Sequence, residues 1–210
     1  MLTNDQLVKI VSGKLRSEFR PNKELTVNSL EEGVKIWSHH DVIQLWEKVV
    51  MKWKPLNQTA VLIPCSAKKP YPYSKSHRDG YLPALLPYLS RLDLFAMSEP
   101  MGIVPYRYAD EYPVNSYEYD PHKFFMGKLN DPKVQRALKL FHSRVADWVK
   151  KYHYMYDKKI LVLPRSWHLK VFREGVKLSG CSINDYSIVT LPGRPQHHVN
   201  AISQSLSMLF

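Results

Sequence analysis

From residue 59 onward the chain alternates between short apolar runs and longer amphipathic segments, and this alternation constrains its fold most strongly. The apolar runs have the length of buried strands and are residues 59–64, 93–98, 159–163 and 186–191. The segments with helical spacing of apolar residues are 80–92, 132–151, 165–178 and 197–208. Strands that alternate with helices form a mostly parallel sheet covered on both faces. The sequence therefore predicts an α/β fold with a mostly parallel four-stranded sheet.

The first 55 residues have a different pattern, which predicts an N-terminal helical appendage to an α/β core of residues 56–210. Residues 4–19 place their apolar side chains on one helical face. Ser29 and Glu32 have the spacing of a capping box at the start of a second helical region. Such an appendage acts as a lid, as a nucleic-acid arm or as a layer that covers the core.

The charge of the chain favours a polyanionic partner. Its 210 residues include 30 Lys and Arg against 19 Asp and Glu, a formal net charge of +11. Nucleic acid is the first candidate for such a surface. The 13 tyrosines and five tryptophans favour it further, because unpaired bases stack on aromatic rings. The alternative is a basic surface that only contacts solvent.

Two cysteines, Cys65 and Cys181, are too few for a disulfide framework or a four-thiolate metal site. No apolar run reaches the roughly 18 residues of a membrane span, and the first residues are polar rather than signal-like. We therefore predict a cytoplasmic protein without membrane contact, metal site or cofactor.

The segment from Pro64 to His77, here called the Cys65 loop, follows the first predicted strand and is crowded with chemically active groups. It contains one thiol, three lysines, two phenols, three hydroxyls and one imidazole, but no glycine. A loop that only reverses the chain is usually built from Gly, Asn and Asp. Cys65 either adds to an electrophilic carbon or is a small buried hydrophobe at a strand end.

The other polar residues of the Cys65 loop also allow several interpretations. The lysines bind phosphate, supply one base or nucleophile, or lie in solvent; they are Lys68, Lys69 and Lys75. Ser74 and His77 are three residues apart, so they can meet in a turn with His77 as a general acid or base.

Two further segments follow predicted strands. After the second strand, Glu99 and Asp120 are candidate acids and Gly102 would let backbone approach a ligand, unless the segment is simply a rigid proline-rich turn. After the last strand, Arg194 would hold a phosphate and His197 would donate a hydrogen bond, unless the segment only begins a helix.

The Cys65 loop reads Pro-Cys, three residues, Lys-Pro-Tyr, two residues, Ser, two residues, His. This pattern resembles the signature of the archaeosine synthase family, which acts on 7-cyano-7-deazaguanine in transfer RNA. The matching residues are Pro64, Cys65, Lys69, Pro70, Tyr71, Ser74 and His77. The next segment is also similar to that family, through Pro100, Gly102, Val104, Pro105, Tyr112, Pro113, Tyr119 and Asp120. The resemblance spans roughly residues 59–192.

The resemblance implies a three-layer α/β/α sandwich like that of uracil-DNA glycosylase, with loops after the first and last strands lining a base pocket. It also implies that the amine of free lysine adds to the nitrile carbon of the base, giving an amidine without ATP. We expect two departures from the family: a protein without the RNA-binding PUA domain, and Tyr106-Arg107-Tyr108 in place of a usual Arg-Glu pair. We therefore expect tRNA or DNA as substrate, lysine or another amine as donor, and allow for a separate RNA- or DNA-binding subunit.

We accordingly predict a base-modifying enzyme. The predicted catalytic residues are Cys65, Lys69, Ser74 and His77. The predicted substrate-binding residues are Tyr71, Glu99, Gly102, Asp120, Arg194 and His197. The predicted nucleic-acid contacts are Lys68, Lys75, Arg78 and Arg107.

Two rival functions remain. A glycosylase or base-exchange enzyme on the same fold would need an Asp or Asn in the Cys65 loop, which has neither. A non-catalytic nucleic-acid-binding module would need only the basic and aromatic surface.

Overall fold

A five-stranded mixed sheet forms the centre of the computed structural model, which describes residues 1–17, 21–164, 167–191 and 198–210 except the side chain of His122. The strands are β1 (Thr59–Pro64), β2 (Asp93–Ser98), β3 (Gly102–Pro105), β4 (Lys158–Leu161) and β5 (Ser187–Ile188). Their order across the sheet is β3-β2-β1-β4-β5. Every residue of β1 is buried, because helices cover both faces of the central strand.

The predicted α/β class is confirmed, but the count of four strands is wrong. β1 pairs in parallel with β2 and β4, and β4 pairs in parallel with β5. The additional strand, β3, runs antiparallel to β2 from a tight connection in which Ser98 pairs with Gly102. A four-residue strand that begins at glycine and ends at proline lacks an apolar run long enough to stand out from its flanking loop.

Eight α-helices lie in the described ranges. They are α1 (Asn4–Val11), α2 (Leu30–Lys35), α3 (His40–Leu45), α4 (Leu82–Leu85), α5 (Pro121–Phe125), α6 (Pro132–Tyr152), α7 (Trp167–Ser179) and α8 (His198–Ser207). Single π turns occur at Trp46–Val50 and His77–Tyr81. Short 3₁₀ turns are Lys23–Leu25, Ile36–Ser38, Tyr71–Tyr73, Leu86–Tyr88, Tyr106–Tyr108, His153–Met155 and Ile183–Asp185. None of these helices has the length and apolar character that a membrane crossing requires.

The helices pack in two groups. The helix α6 lies against α7, and α4 lies against α8. The chain moves from β1 to β2 in one direction across the sheet and from β3 through β4 to β5 in the other. Because crossovers between parallel strands are right-handed, the two groups cover opposite faces of the sheet. This arrangement agrees with a three-layer sandwich, while the specific likeness to uracil-DNA glycosylase stays a prediction.

The predicted N-terminal appendage packs directly on the α/β core. The Trp37 ring centroid lies 5.1 Å from that of Phe141 on α6. Arg144 of α6 donates to the carbonyl oxygen of Trp37 at 2.8 Å, and Tyr152 donates to that of Val50 at 2.6 Å. The helix predicted at 4–19 ends earlier, at Val11, two residues before a glycine. The division into an appendage and a core stays a prediction.

Candidate active site

Three side chains meet at the carboxyl edge of the parallel strands. Cys65 directly follows β1, Glu99 directly follows β2, and His168 lies in the first turn of α7, which follows β4. The Cys65 N–H donates to the carbonyl oxygen of Met97 at 2.8 Å, so the strand pairing continues up to the thiol. Open α/β sheets bind ligands at this edge.

The side-chain atoms of these residues form a tight triangle, here called the Cys65–Glu99–His168 cluster. The Cys65 Sγ lies 3.5 Å from Glu99 Oε2 and 3.6 Å from His168 Nε2. The third side, from His168 Nε2 to Glu99 Oε2, is 3.1 Å. The other carboxylate oxygen, Oε1, accepts a 2.5 Å hydrogen bond from the indole N–H of Trp167. Glu99 is only 2% exposed, so its orientation is fixed.

The electrostatics of the cluster favour an ion pair. Burial is the largest single influence and disfavours the charged form of both Glu99 and His168, but their mutual attraction together with their hydrogen bonds outweighs it. The pKa of Glu99 is lowered from its ordinary value, and the pKa of His168 is raised to about 10. At neutral pH an imidazolium therefore lies beside the sulfur, where it can give a proton to a nitrogen that develops negative charge.

Lys69 is buried beside the cluster. The residue is only 2% exposed, and its Nζ donates to the carbonyl oxygen of Ser66. Nζ also lies 4.2 Å from the centroid of the Tyr117 ring. Burial lowers the pKa of Lys69, while the nearby Cys65 and Glu99 oppose that shift. A lysine with a lowered pKa is more often neutral and can act as a base or nucleophile.

A buried group of hydroxyls lies behind Lys69. The Tyr71 and Tyr117 hydroxyls are 2.9 Å apart, and both contact Ser98 Oγ, which is 2.6 Å from Tyr117. Burial raises the pKa of both phenols well above the ordinary value, so both stay protonated. This network fixes the wall behind the Lys69 amine.

Ser74 and His77 are in contact, but the contact joins the Ser74 hydroxyl to the backbone of His77 rather than to its ring. Ser74 Oγ accepts from the His77 N–H at 3.3 Å, which caps the helical turn that follows. The His77 ring stacks on Tyr71 and Tyr106, and its Nδ1 lies 2.8 Å from the Tyr106 hydroxyl. Complete burial lowers the pKa of His77 to about 3, so the imidazole is neutral at physiological pH. The predicted catalytic roles of both residues stay predictions.

Two other predicted substrate-binding residues, Gly102 and Asp120, are described and do not belong to the Cys65–Glu99–His168 cluster. Gly102 has φ +90°, and a Cβ there would lie 2.6 Å from Trp46, so helix packing already accounts for a glycine. Asp120 is exposed and accepts from the Lys123 N–H at 3.4 Å at the start of α5. Arg194 and His197 lie outside the described residues.

Three of the four predicted nucleic-acid contacts are exposed, namely Lys68, Lys75 and Arg107. Arg78 is half-buried, and its guanidinium binds the carboxylate of Asp79 at 2.6 Å and 3.0 Å. That ion pair leaves Arg78 with less charge to offer a phosphate than the other three.

The sequence reasoning missed His168 and Trp167. Both lie in a segment that was assigned only as a helix, although it directly follows the third predicted strand. A cluster of polar and aromatic side chains at a strand end was the signal used for Cys65. The same criterion applied after β4 would have identified them.

Comparisons with known proteins found similarity over parts of the chain. The family described as "Domain of unknown function (DUF5591)" matches residues 42–123, which include Cys65 and Glu99. Archaeosine synthase subunit alpha of Thermoplasma acidophilum is 34% identical over 85 residues, 36% of this chain and 16% of that protein. The crystal structure of AF0587, a protein of unknown function, has a TM-score of 0.44 and 18% identity, covering 77% of this chain and 48% of that one. The aligned segment spans about a sixth of the curated relative, and the family match and this relative support a relationship to archaeosine synthases over part of the chain.

Proposed function

We propose that this protein modifies a base in nucleic acid by joining an amine, such as lysine or another amino acid, to an activated carbon of that base. The proposed target is the nitrile of 7-cyano-7-deazaguanine or a related base in tRNA or DNA. The observation that carries this proposal is the Cys65–Glu99–His168 cluster at the carboxyl edge of the sheet. Its support is the partial match to a protein named archaeosine synthase subunit alpha.

The geometry supports a direct addition. The amine nitrogen forms a bond to the nitrile carbon, one π bond of the nitrile opens, and the nitrile nitrogen takes up a proton. The His168 imidazolium supplies that proton and recovers one from the ammonium that the attacking amine becomes. Buried Lys69, with its lowered pKa, lies in reach as an alternative acceptor of the amine proton. The product is an amidine.

A covalent route is the second form of the same proposal. Here Cys65 Sγ bonds to the nitrile carbon, and its proton passes through His168 to the nitrile nitrogen, giving a thioimidate. The amine then attacks that carbon, the C–S bond breaks, and the sulfur recovers a proton. Both routes have the same balance, nitrile plus amine giving amidine, but only the second makes Cys65 indispensable as a nucleophile.

The target base reaches the cluster only if it leaves its stack, because the cluster is largely buried. Exposed Lys68, Lys75 and Arg107 would hold the phosphate backbone around the flipped nucleotide.

The experiment incubates the protein with tRNA or DNA carrying the nitrile base, together with lysine or other amino acids, and analyses the nucleosides by liquid chromatography and mass spectrometry. We expect a nucleoside heavier by the mass of the added amine. Release of the free base would instead indicate a glycosylase. Binding that weakens with salt, with no altered nucleoside for any amine, would indicate a non-catalytic module.

The two routes are separated by the mass of the intact protein after incubation with the nitrile base alone. The covalent route predicts an adduct that Cys65→Ala abolishes and Cys181→Ala retains. Cys181 is a suitable control because it follows the far end of α7, whose 13 residues separate its ends by about 18 Å. Full activity of Cys65→Ala without any adduct excludes the covalent route.

A further inference from the structure

We propose that Cys65, Glu99 and His168 form a zinc site with three protein ligands and one open position. The three residues come from three separate segments of the chain and offer one sulfur, one oxygen and one nitrogen. Within the described part of the chain, these donor atoms all lie within 4.8 Å of one another.

The distances in the triangle are those of a tetrahedron around zinc. Zinc binds Cys sulfur at about 2.3 Å, His nitrogen at about 2.0 Å and carboxylate oxygen at about 2.0–2.2 Å. With tetrahedral angles, the edges from sulfur are then about 3.5 Å and the nitrogen–oxygen edge is about 3.3 Å. The observed edges are 3.5 Å, 3.6 Å and 3.1 Å. One ion therefore fits all three donors at ordinary bond lengths.

The direction of the donors supports the same assignment. A single ring nitrogen, His168 Nε2, faces both the Cys65 sulfur and Glu99 Oε2. One N–H carries one proton and aligns well with only one of two acceptors, whereas a metal ion interacts with all three atoms at once. Trp167 holds Oε1 of Glu99, which leaves Oε2 for the ion and supplies the outer-shell support that metal ligands need.

The charge and chemistry of the donors select the metal. A thiolate and a carboxylate together neutralise a divalent ion, so the site carries no net positive charge beside the buried Lys69 side chain. A mixed sulfur, nitrogen and oxygen set favours zinc over magnesium or calcium, which prefer oxygen alone. Three protein ligands with a fourth position open are the pattern of catalytic rather than structural zinc.

The use of this zinc rests on the proposed function, whereas the binding of zinc does not. A zinc ion held by these three ligands would take the nitrile nitrogen at its open position, polarise the nitrile and make its carbon more electrophilic. Cys65 and His168 then act as ligands, and the direct addition is the route taken. The proton that the attacking amine loses passes through Lys69, in place of His168, to the nitrile nitrogen. The proton that His168 shares with Glu99 is released when zinc binds.

The test measures metal binding without substrate. Purified protein is stripped with a chelator, given one equivalent of Zn²⁺, desalted and analysed for metal. We expect about one zinc per chain, with most of it lost in Cys65→Ser and His168→Ala and kept in Cys181→Ser. Cobalt substitution should give a thiolate-to-cobalt charge-transfer band and tetrahedral visible bands that Cys65→Ser abolishes.

A second measurement guards against variants that fail to fold. Zinc should raise the melting temperature of the wild-type protein, and a chelator should reverse the rise, because a ligand that binds only the folded state stabilises it. Wild-type protein that retains no zinc, shows no charge-transfer band with cobalt and melts at an unchanged temperature overturns the proposal. Zinc binding without any base modification would support the zinc site and reject the proposed function. Base modification by metal-free protein at full rate supports the proposed function and rejects a catalytic use of zinc.

Discussion

The indole N–H of Trp167 donates to Glu99 Oε1 at 2.5 Å, which fixes the carboxylate whose other oxygen faces His168 and Cys65. The donor stands at the start of α7 and the acceptor at the end of β2, so this bond joins two elements that are distant in sequence. The orientation of the whole cluster depends on it, since Glu99 is buried and cannot exchange this partner for water.

Replacing Trp167 with Phe tests this dependence. The variant keeps an aromatic ring but leaves a buried charged oxygen without its donor, which costs about 1–3 kcal/mol of unfolding free energy. Urea unfolding followed by circular dichroism measures the loss. The matched control is Trp53→Phe, which removes an indole hydrogen bond of 3.1 Å to the neutral Tyr156 hydroxyl. An equal loss in both variants would contradict a special role for the Glu99 contact.

The neighbouring lysines of the Cys65 loop offer a matched pair for catalysis. Lys69 is buried against the cluster and Lys68 is exposed. We expect Lys69→Met to reduce the rate of base modification by at least about 100-fold, the usual effect of losing an acid–base group, with nucleic-acid affinity nearly unchanged. Lys68→Met should keep the rate and weaken binding modestly, less so at high salt. Equal rates in the two variants would exclude Lys69 from the chemistry.

Gly102 tests how the connection between β2 and β3 is built. Its φ of +90° disfavours any side chain, and an added Cβ would lie 2.6 Å from Trp46 Cζ3. Gly127 has a similar φ of +76° but open space around it. Gly127→Ala should therefore cost only the backbone strain of about 1–2 kcal/mol, and Gly102→Ala about 1–3 kcal/mol more because of the clash. Thermal unfolding of both variants gives the difference, and equal losses would refute the close packing on Trp46.

The sequence predicts the sheet better than the site. The strands at 59–64 and 93–98 and the helix from Pro132 were recognised because each carries an uninterrupted apolar pattern. The strand β3 was missed since Gly102 and Pro105 bound a run of only two apolar residues between them. The apolar pattern of a segment indicates which of its side chains are buried, but not which other element it packs against.

The cluster itself could be predicted only in part. Cys65 and Glu99 were recognised as strand-end residues, but His168 lies about a hundred residues from Cys65, and no spacing rule connects them. The three donors therefore have no metal-binding motif in sequence, although they meet in space. Ser74 shows another limit of spacing: its hydroxyl accepts the His77 N–H and caps a helical turn, a contact that the spacing alone does not specify, and its catalytic role stays a prediction.

The exposed basic residues near the Cys65 loop predict a salt-dependent interaction with nucleic acid. Lys75 and Arg107 are exposed, and each phosphate contact they make adds about 1 to the slope of log affinity against log salt. Lys75→Ala and Arg107→Ala should each reduce that slope by about 1 in a titration with tRNA. The control is Lys177→Ala near the far end of α7, which should leave the slope unchanged. A similar change in all three variants would assign binding to net charge alone.

The buried His77 imidazole predicts how stability depends on pH. Its pKa in the folded protein is about 3, below the ordinary value of 6.5 that applies to the unfolded chain. Between these two values the unfolded chain binds one more proton than the folded protein, so stability falls as pH falls, by about 1.4 kcal/mol per unit. At pH 5 this group alone should lower the free energy of unfolding by about 2 kcal/mol relative to pH 7.5.

Urea unfolding of wild type and His77→Gln at both pH values isolates this contribution. The variant should lose the extra pH dependence of about 2 kcal/mol even if it is less stable overall, because glutamine has no proton to take up. The control is His40→Gln, whose histidine side chain is 75% exposed and should leave the pH dependence of the wild type in place. If His77→Gln keeps the full dependence on pH, the imidazole is protonated in the folded protein, and His77 would then be available as a general acid.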